Sequence, residues 1–140
     1  MAAERGDKVV IYEFDERLGT LLVRASKLGM DLAPFIETGH VSIKQVDPGE
    51  LSPGEFVHQI WHEVEDNNVR MVIIDSFNGY IAAMPEEKQL LNQIHELLSF
   101  LNQKGVVTFL INPQKGLVGT MHSSINISYM ADTVLLLRYF

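Results

Sequence analysis

Val69-Arg70-Met71-Val72-Ile73-Ile74-Asp75-Ser76 carries an unbroken apolar run, Met71 to Ile74, that stops at an aspartate and a serine. A strand with one solvated face alternates apolar and polar residues. A run without alternation reads as a strand covered on both faces, as in a parallel sheet held between helices.

Outward from this run, both flanks read as helices. Upstream, Ser52-Pro53-Gly54-Glu55 supplies a capping serine, proline at the first helical position and glutamate three residues after the cap. Phe56, Val57, Ile60, Trp61 and Val64 then form an apolar face. Downstream, the longest helix is predicted from about Pro85 to Lys104, with Leu90, Leu91, Ile94, Leu97, Leu98 and Leu101 on one stripe and Gly105 to stop it. Further out lie more strands. Val9-Val10-Ile11-Tyr12 is β-branched and aromatic. A helix with Leu18, Leu21, Leu22, Ala25 and Leu28 on one face and Gly29 at its end follows it. Val41 to Val46 alternates, which suits a strand near an edge, and Val106 to Ile111 is the next strand. Thr133 to Leu137 reads as the last, after a Gly/Ser-rich loop. Strands that alternate with helices predict one three-layer α/β/α domain over residues 1–140, with a mostly parallel five-stranded sheet and right-handed crossovers.

The bulk numbers narrow the function classes. The 140 residues suit one domain, and with no cysteine the chain has neither disulfides nor a catalytic or metal-binding thiolate. A net charge of -7 and a pI of 5.1 disfavour broad electrostatic contact with nucleic acid or anionic lipid. No apolar run approaches the ~18–20 residues that span a bilayer, and the first seven residues lack a signal-peptide core. The cytoplasm is the expected location.

In parallel sheets, ligands bind beyond the carboxyl ends of the strands. Those ends carry Glu13-Phe14-Asp15-Glu16, Asp75-Ser76-Phe77-Asn78 and Asn112-Pro113-Gln114-Lys115, so acids and amides gather on one edge of an apolar sheet. An aspartate after four apolar strand residues is the Walker B arrangement, in which the strand delivers a carboxylate to a phosphate site and holds magnesium there, usually through water.

Three segments carry a family resemblance. Ile11-Tyr12-Glu13-Phe14-Asp15-Glu16 resembles the strand and Phe-Glu-Glu segment of KaiC-like ATPases; Leu21 to Leu32 resembles their leucine-rich helix with Gly, Met and Asp-Leu after it; Met71 to Ser76 resembles their Walker B strand. The likeness runs from about Lys8 to Phe140. It implies a RecA-like P-loop NTPase core, ATP and magnesium as the family's cofactors, and a ring or dimer partner. It also implies roles. Asp15 and Glu16 would activate the water that attacks the γ-phosphate; the first of the pair is usually glutamate, which makes Glu16 the stronger general base. Asp75, with Ser76 beside it, would stand on the magnesium side of the nucleotide. Gln114 would sense the γ-phosphate, and Lys115 to Ser124 would face a neighbouring subunit or a ring pore.

One departure outweighs these matches. The family's cradle, Gly-x-x-x-x-Gly-Lys-[Ser/Thr], should precede the first strand by roughly 20 residues and occurs nowhere in the chain. Met1 to Gly6 looks instead like the last turn of the helix that follows it. A partial domain that binds no nucleotide tightly and hydrolyses none alone is the expectation, with self-association through bare sheet edges. The alternatives are a non-catalytic interaction or signalling module with this fold, and a flavodoxin-like receiver or ligand-binding domain, which leaves the Phe-Asp-Glu and Ile-Asp-Ser pairing unexplained.

Each candidate also has a plain reading. Asp15 precedes a helix and would serve as its N-cap, Glu16 would suit the first turn's dipole, and Asp75 would cap the turn after its strand. His58 and His62 share a helix face at a metal-binding spacing, but Gln59 stands where a glutamate base would, and no third ligand follows. Trp61 reads as packed.

Overall fold

The computed structural model describes residues 2–47, 49–82, 87–113 and 128–137. Four strands, β1 (Lys8–Glu13), β2 (Val41–Gln45), β3 (Val69–Asp75) and β4 (Val107–Ile111), form one sheet in the order β2-β1-β3-β4. All three pairings are parallel. Because side chains alternate across a strand, β1 and β3 are apolar on both faces. Val10, Tyr12, Val72 and Ile74 turn into the larger core. Val9, Ile11, Met71 and Ile73 turn the other way, into a smaller cluster with Ala3 and Val41.

The larger core is roofed by α3 (Pro53–Glu65) and α5 (Glu87–Gln103), through Phe56, Ile60 and Val64 of the first and Leu90, Ile94, Leu97 and Leu101 of the second. The capping box at Ser52 is formed: its hydroxyl accepts from the Glu55 N–H, and the Glu55 carboxylate accepts from the Ser52 N–H. Trp61 does not pack into the core: it is 42% exposed and leans on Phe100, 5.2 Å between ring centroids at an interplanar angle of 40°. The opposite face carries α2 (Ala33–Glu37), whose Phe35 and Ile36 pack on the smaller cluster. α1 (Leu18–Lys27) follows β1 and ends before Gly29, whose φ of 77° is one that side chains disfavour. A short α4 (Phe77–Ala82) follows β3 directly. Among the described residues, no helix is long and apolar enough to cross a membrane.

The sequence reading differs from the structure in two further places. Thr133 to Leu137 is not a fifth strand: the described residues there pair with nothing, and Leu135 and Leu137 are 77% and 92% exposed. Propensity marks a strand, but a strand forms only beside a partner that takes its N–H and C=O groups. α2 and α4 carry no sequence signal, because five or six residues are too few to show a helical period. Before β1, Ala3–Arg5 form a 3-10 turn that ends at Gly6.

Candidate functional site

β1 and β3 are neighbours at the centre of the sheet, with Glu13 opposite Asp75, so both strands end at one level. The ladder runs one step further, where the Phe14 N–H donates to the Asp75 carbonyl at 2.7 Å. Both chains then leave the sheet. On the β3 side the Asp75–Ser76 peptide is cis, and α4 starts at the next residue. The buried Ser76 hydroxyl donates to the Asp15 carboxylate, which joins two segments 61 residues apart.

A close approach underlies this bond. A Cβ on Gly79 would lie 2.4 Å from the Phe14 Cβ and 3.2 Å from Asp15 Oδ1. Only glycine lets α4 press so closely against the bend after β1. Aromatic rings support the bend from below: Phe14 meets Phe56 at 5.5 Å and Tyr80 at 6.1 Å, and Phe56 meets Tyr12 at 4.9 Å.

Glu13 is 1% exposed. Its Oε1 accepts from the N–H groups of Asp15 (3.1 Å) and Glu16 (2.8 Å), while its Oε2 is buried without a partner. Glu16 is half-buried and paired with Arg24 of α1, Nη2 to Oε2 at 2.6 Å. Burial raises the Glu13 carboxyl above its usual range; the two amide hydrogen bonds pull it back, and the charges of Asp75 and Glu16 add to the rise. Asp75 is raised as well, by burial first and then by Asp15 and Glu16, against the lowering pull of Arg24. The Arg24 guanidinium is raised, chiefly by its hydrogen bond to Glu16. The rim therefore holds like charges in a poorly solvated place with one cation over them.

Asp15, Glu16, Asp75 and Ser76 are thus brought together. Gln114 and the segment Lys115 to Ser124 lie outside the described residues. The Asn78 side chain donates to the Pro113 carbonyl at 2.9 Å, which ties the exit of β3 to the exit of β4. The N-cap reading of Asp15 is overturned. Arg17 is the N-cap of α1 and makes no side-chain cap, and the first turn contains no acid, so Glu16 is not there for the dipole. His62 pairs with Asp66, and His58 lies 5.9 Å from the His62 ring. Among the described residues, no three His, Asp or Glu side chains converge to hold a metal ion.

Arg24 and Gly79 are members of the rim that sequence reading missed, and Glu13, placed at the strand end, is given no role by it. Glu13 alone left a signal, because a charged residue ending an apolar strand is out of pattern.

A family model described as KaiC ATPase matches residues 1–139. The chain belongs to the KaiC ATPase family. A crystal structure of a KaiC-like protein from the hyperthermophilic archaeon Pyrococcus horikoshii OT3 superposes with a TM-score of 0.66 at 23% identity, over 79% of this chain and 49% of that one. At that identity the likeness speaks for the fold, a KaiC-like RecA core. This KaiC-family chain spans about half the length of that relative. No curated protein matches it.

Proposed function

We propose that this KaiC-family chain supplies the Walker B and water-activating side of an ATPase site and does not hydrolyse ATP by itself. The hydrogen bond from Ser76 to Asp15 carries the reading, because it sets the end of the Walker B-like strand against the acidic pair that follows its neighbour. Asp75 is the carboxylate that would hold magnesium, and Asp15 and Glu16 stand beside it as proton acceptors for an attacking water. The donors fit the ion in kind, since magnesium takes hard oxygens from one or two carboxylates and fills the rest with water and phosphate. When bound, the ion neutralises charge on the transferring phosphoryl group.

The donors do not fit the phosphates. Cradling them needs a nest of backbone N–H groups and a lysine, and the 140 residues contain no Gly-x-x-x-x-Gly-Lys-[Ser/Thr]. The Arg24–Glu16 ion pair points the same way, since the guanidinium occupies the carboxylate oxygens that an attacking water would have to reach. Purified chain given magnesium-ATP is expected to turn over no faster than the blank, and calorimetry to show no tight binding. Robust hydrolysis that Glu16→Gln abolishes would overturn this reading.

A second reading, a non-catalytic interaction module, is favoured by the apolar row Val107, Phe109 and Ile111 on β4, the edge strand among the described residues, each more than two-fifths exposed. Self-association would support it and would be compatible with the first. The cysteine-free, acidic composition supports a cytoplasmic place for either.

A further inference from the structure

We infer that Glu13 is a positioning residue of the rim, whose buried carboxyl sets where Asp15 and Glu16 stand relative to Asp75 and Ser76. The inference rests on the reading of Asp15 and Glu16 as the water-activating pair and adds what holds them.

The ladder between β1 and β3 ends at the Phe14 N–H, so the next amides need other acceptors. Glu13 Oε1 takes both, at 3.1 Å from Asp15 and 2.8 Å from Glu16. Two N–H groups drawn onto one oxygen fix the bend from both of its acids. The Ser76 hydroxyl then fixes the Asp15 side chain, and Arg24 the Glu16 side chain.

A neutral side chain would satisfy two amides at lower cost. The glutamate here is 1% exposed, faces Asp75 across the register, and leaves Oε2 buried with no partner. Burying a carboxyl among other acids is unfavourable, and such arrangements concentrate at functional sites. Glu13 therefore brings more to the rim than a turn: a fixed bend and a buried acceptor oxygen inside the acid group.

Amide hydrogen exchange and manganese(II) titration, both read by NMR on the full chain, test this. In the wild type the Asp15 and Glu16 amides are expected to be protected. E13Q keeps an oxygen for both amides and should keep the protection. E13M keeps the shape without oxygens and should speed their exchange by about tenfold or more, the loss of a hydrogen bond to a charged acceptor, while amides of Val10 and Val72 stay slow. Manganese broadening of the Ser76 amide should weaken more in E13M than in E13Q. Unprotected Asp15 and Glu16 amides in the wild type would overturn the inference, and that result needs no variant to fold. So would protection that survives in E13M. No manganese response in any form, with the exchange pattern as expected, would instead sink the Asp75 assignment and leave Glu13 as the residue that sets the bend.

Discussion

At the scale of single residues, the rim is an electrostatic conflict held in place by hydrogen bonds. Glu13 and Asp75 both lose water; Asp75 and Glu16 raise Glu13 further, and Asp15 and Glu16 raise Asp75. The consequence for stability has a definite sign. A carboxyl whose pKa is raised in the folded state keeps its proton there while the unfolded chain has already released it. Between the ordinary carboxylate range and the raised value, the native state binds more protons, so stability falls as pH rises through that window. Below the window the group is protonated in both states and the penalty is absent. E13Q removes Glu13's share of this dependence and keeps an oxygen for the Asp15 and Glu16 amides. In urea titrations at acidic and neutral pH, E13Q is expected to gain on the wild type as pH rises, with the gap closing toward pH 4. Parallel curves for the two proteins would show that Glu13 is not buried as an ionisable group.

At the scale of elements, the site depends on how closely α4 docks on the bend after β1, and this is where sequence reading stopped. The strand that delivers Asp75, the strand that precedes Asp15 and the capping box at Ser52 were all legible, because each is a local pattern with a local cause: an apolar run, alternation, a cap three residues from its partner. The sharing of one rim by Asp15 and Ser76 followed from parallel topology. What held them there did not, since Gly79 is uninformative until a neighbour at 2.4 Å is known, and Arg24 looks like any surface cation of an amphipathic helix. The fifth strand failed for the complementary reason, because its pattern is local but its existence depends on a partner. Gly79→Ala weighs the two kinds of cause against each other. Within a helix, alanine is favoured over glycine by about 1 kcal/mol. Here its methyl meets a Cβ anchored to the backbone of Phe14, which cannot swing away, and overpacking of this sort costs about 1–3 kcal/mol. The clash is expected to win: G79A should lower the urea midpoint and open the contact between Ser76 and Asp15, visible as faster exchange at the Tyr80 amide, which donates to the Ser76 carbonyl. An unchanged or raised midpoint would mean that α4 shifts freely and that the close approach does not organise the rim.

At the scale of the whole molecule, the two edges of the sheet are unequal. Edge strands invite pairing unless charge, brevity or cover blunts them. β2 is blunted: it presents Lys44, ion-paired to Glu63 of α3, and packs under α2. Among the described residues, β4 has no such protection. Val107, Phe109 and Ile111 are 52%, 44% and 42% exposed along one face, and Val134 to Leu137 adds a second exposed apolar run. Contiguous apolar surface of this kind marks an association site. Against it stands the net charge of -7, which makes copies repel at long range. The balance can be tuned, because salt screens repulsion over about 10 Å at 0.1 M and leaves apolar contact untouched. Light scattering is therefore expected to show association that grows with protein concentration and strengthens with added salt. Phe109→Glu, which sets a carboxylate in the middle of the β4 row, should weaken that association more than tenfold, the loss of about 2 kcal/mol expected for a buried aromatic anchor. A species that stays monomeric at high concentration and high salt would mean that the exposed row of β4 is no interface, and that the module reading has lost the observation that favours it.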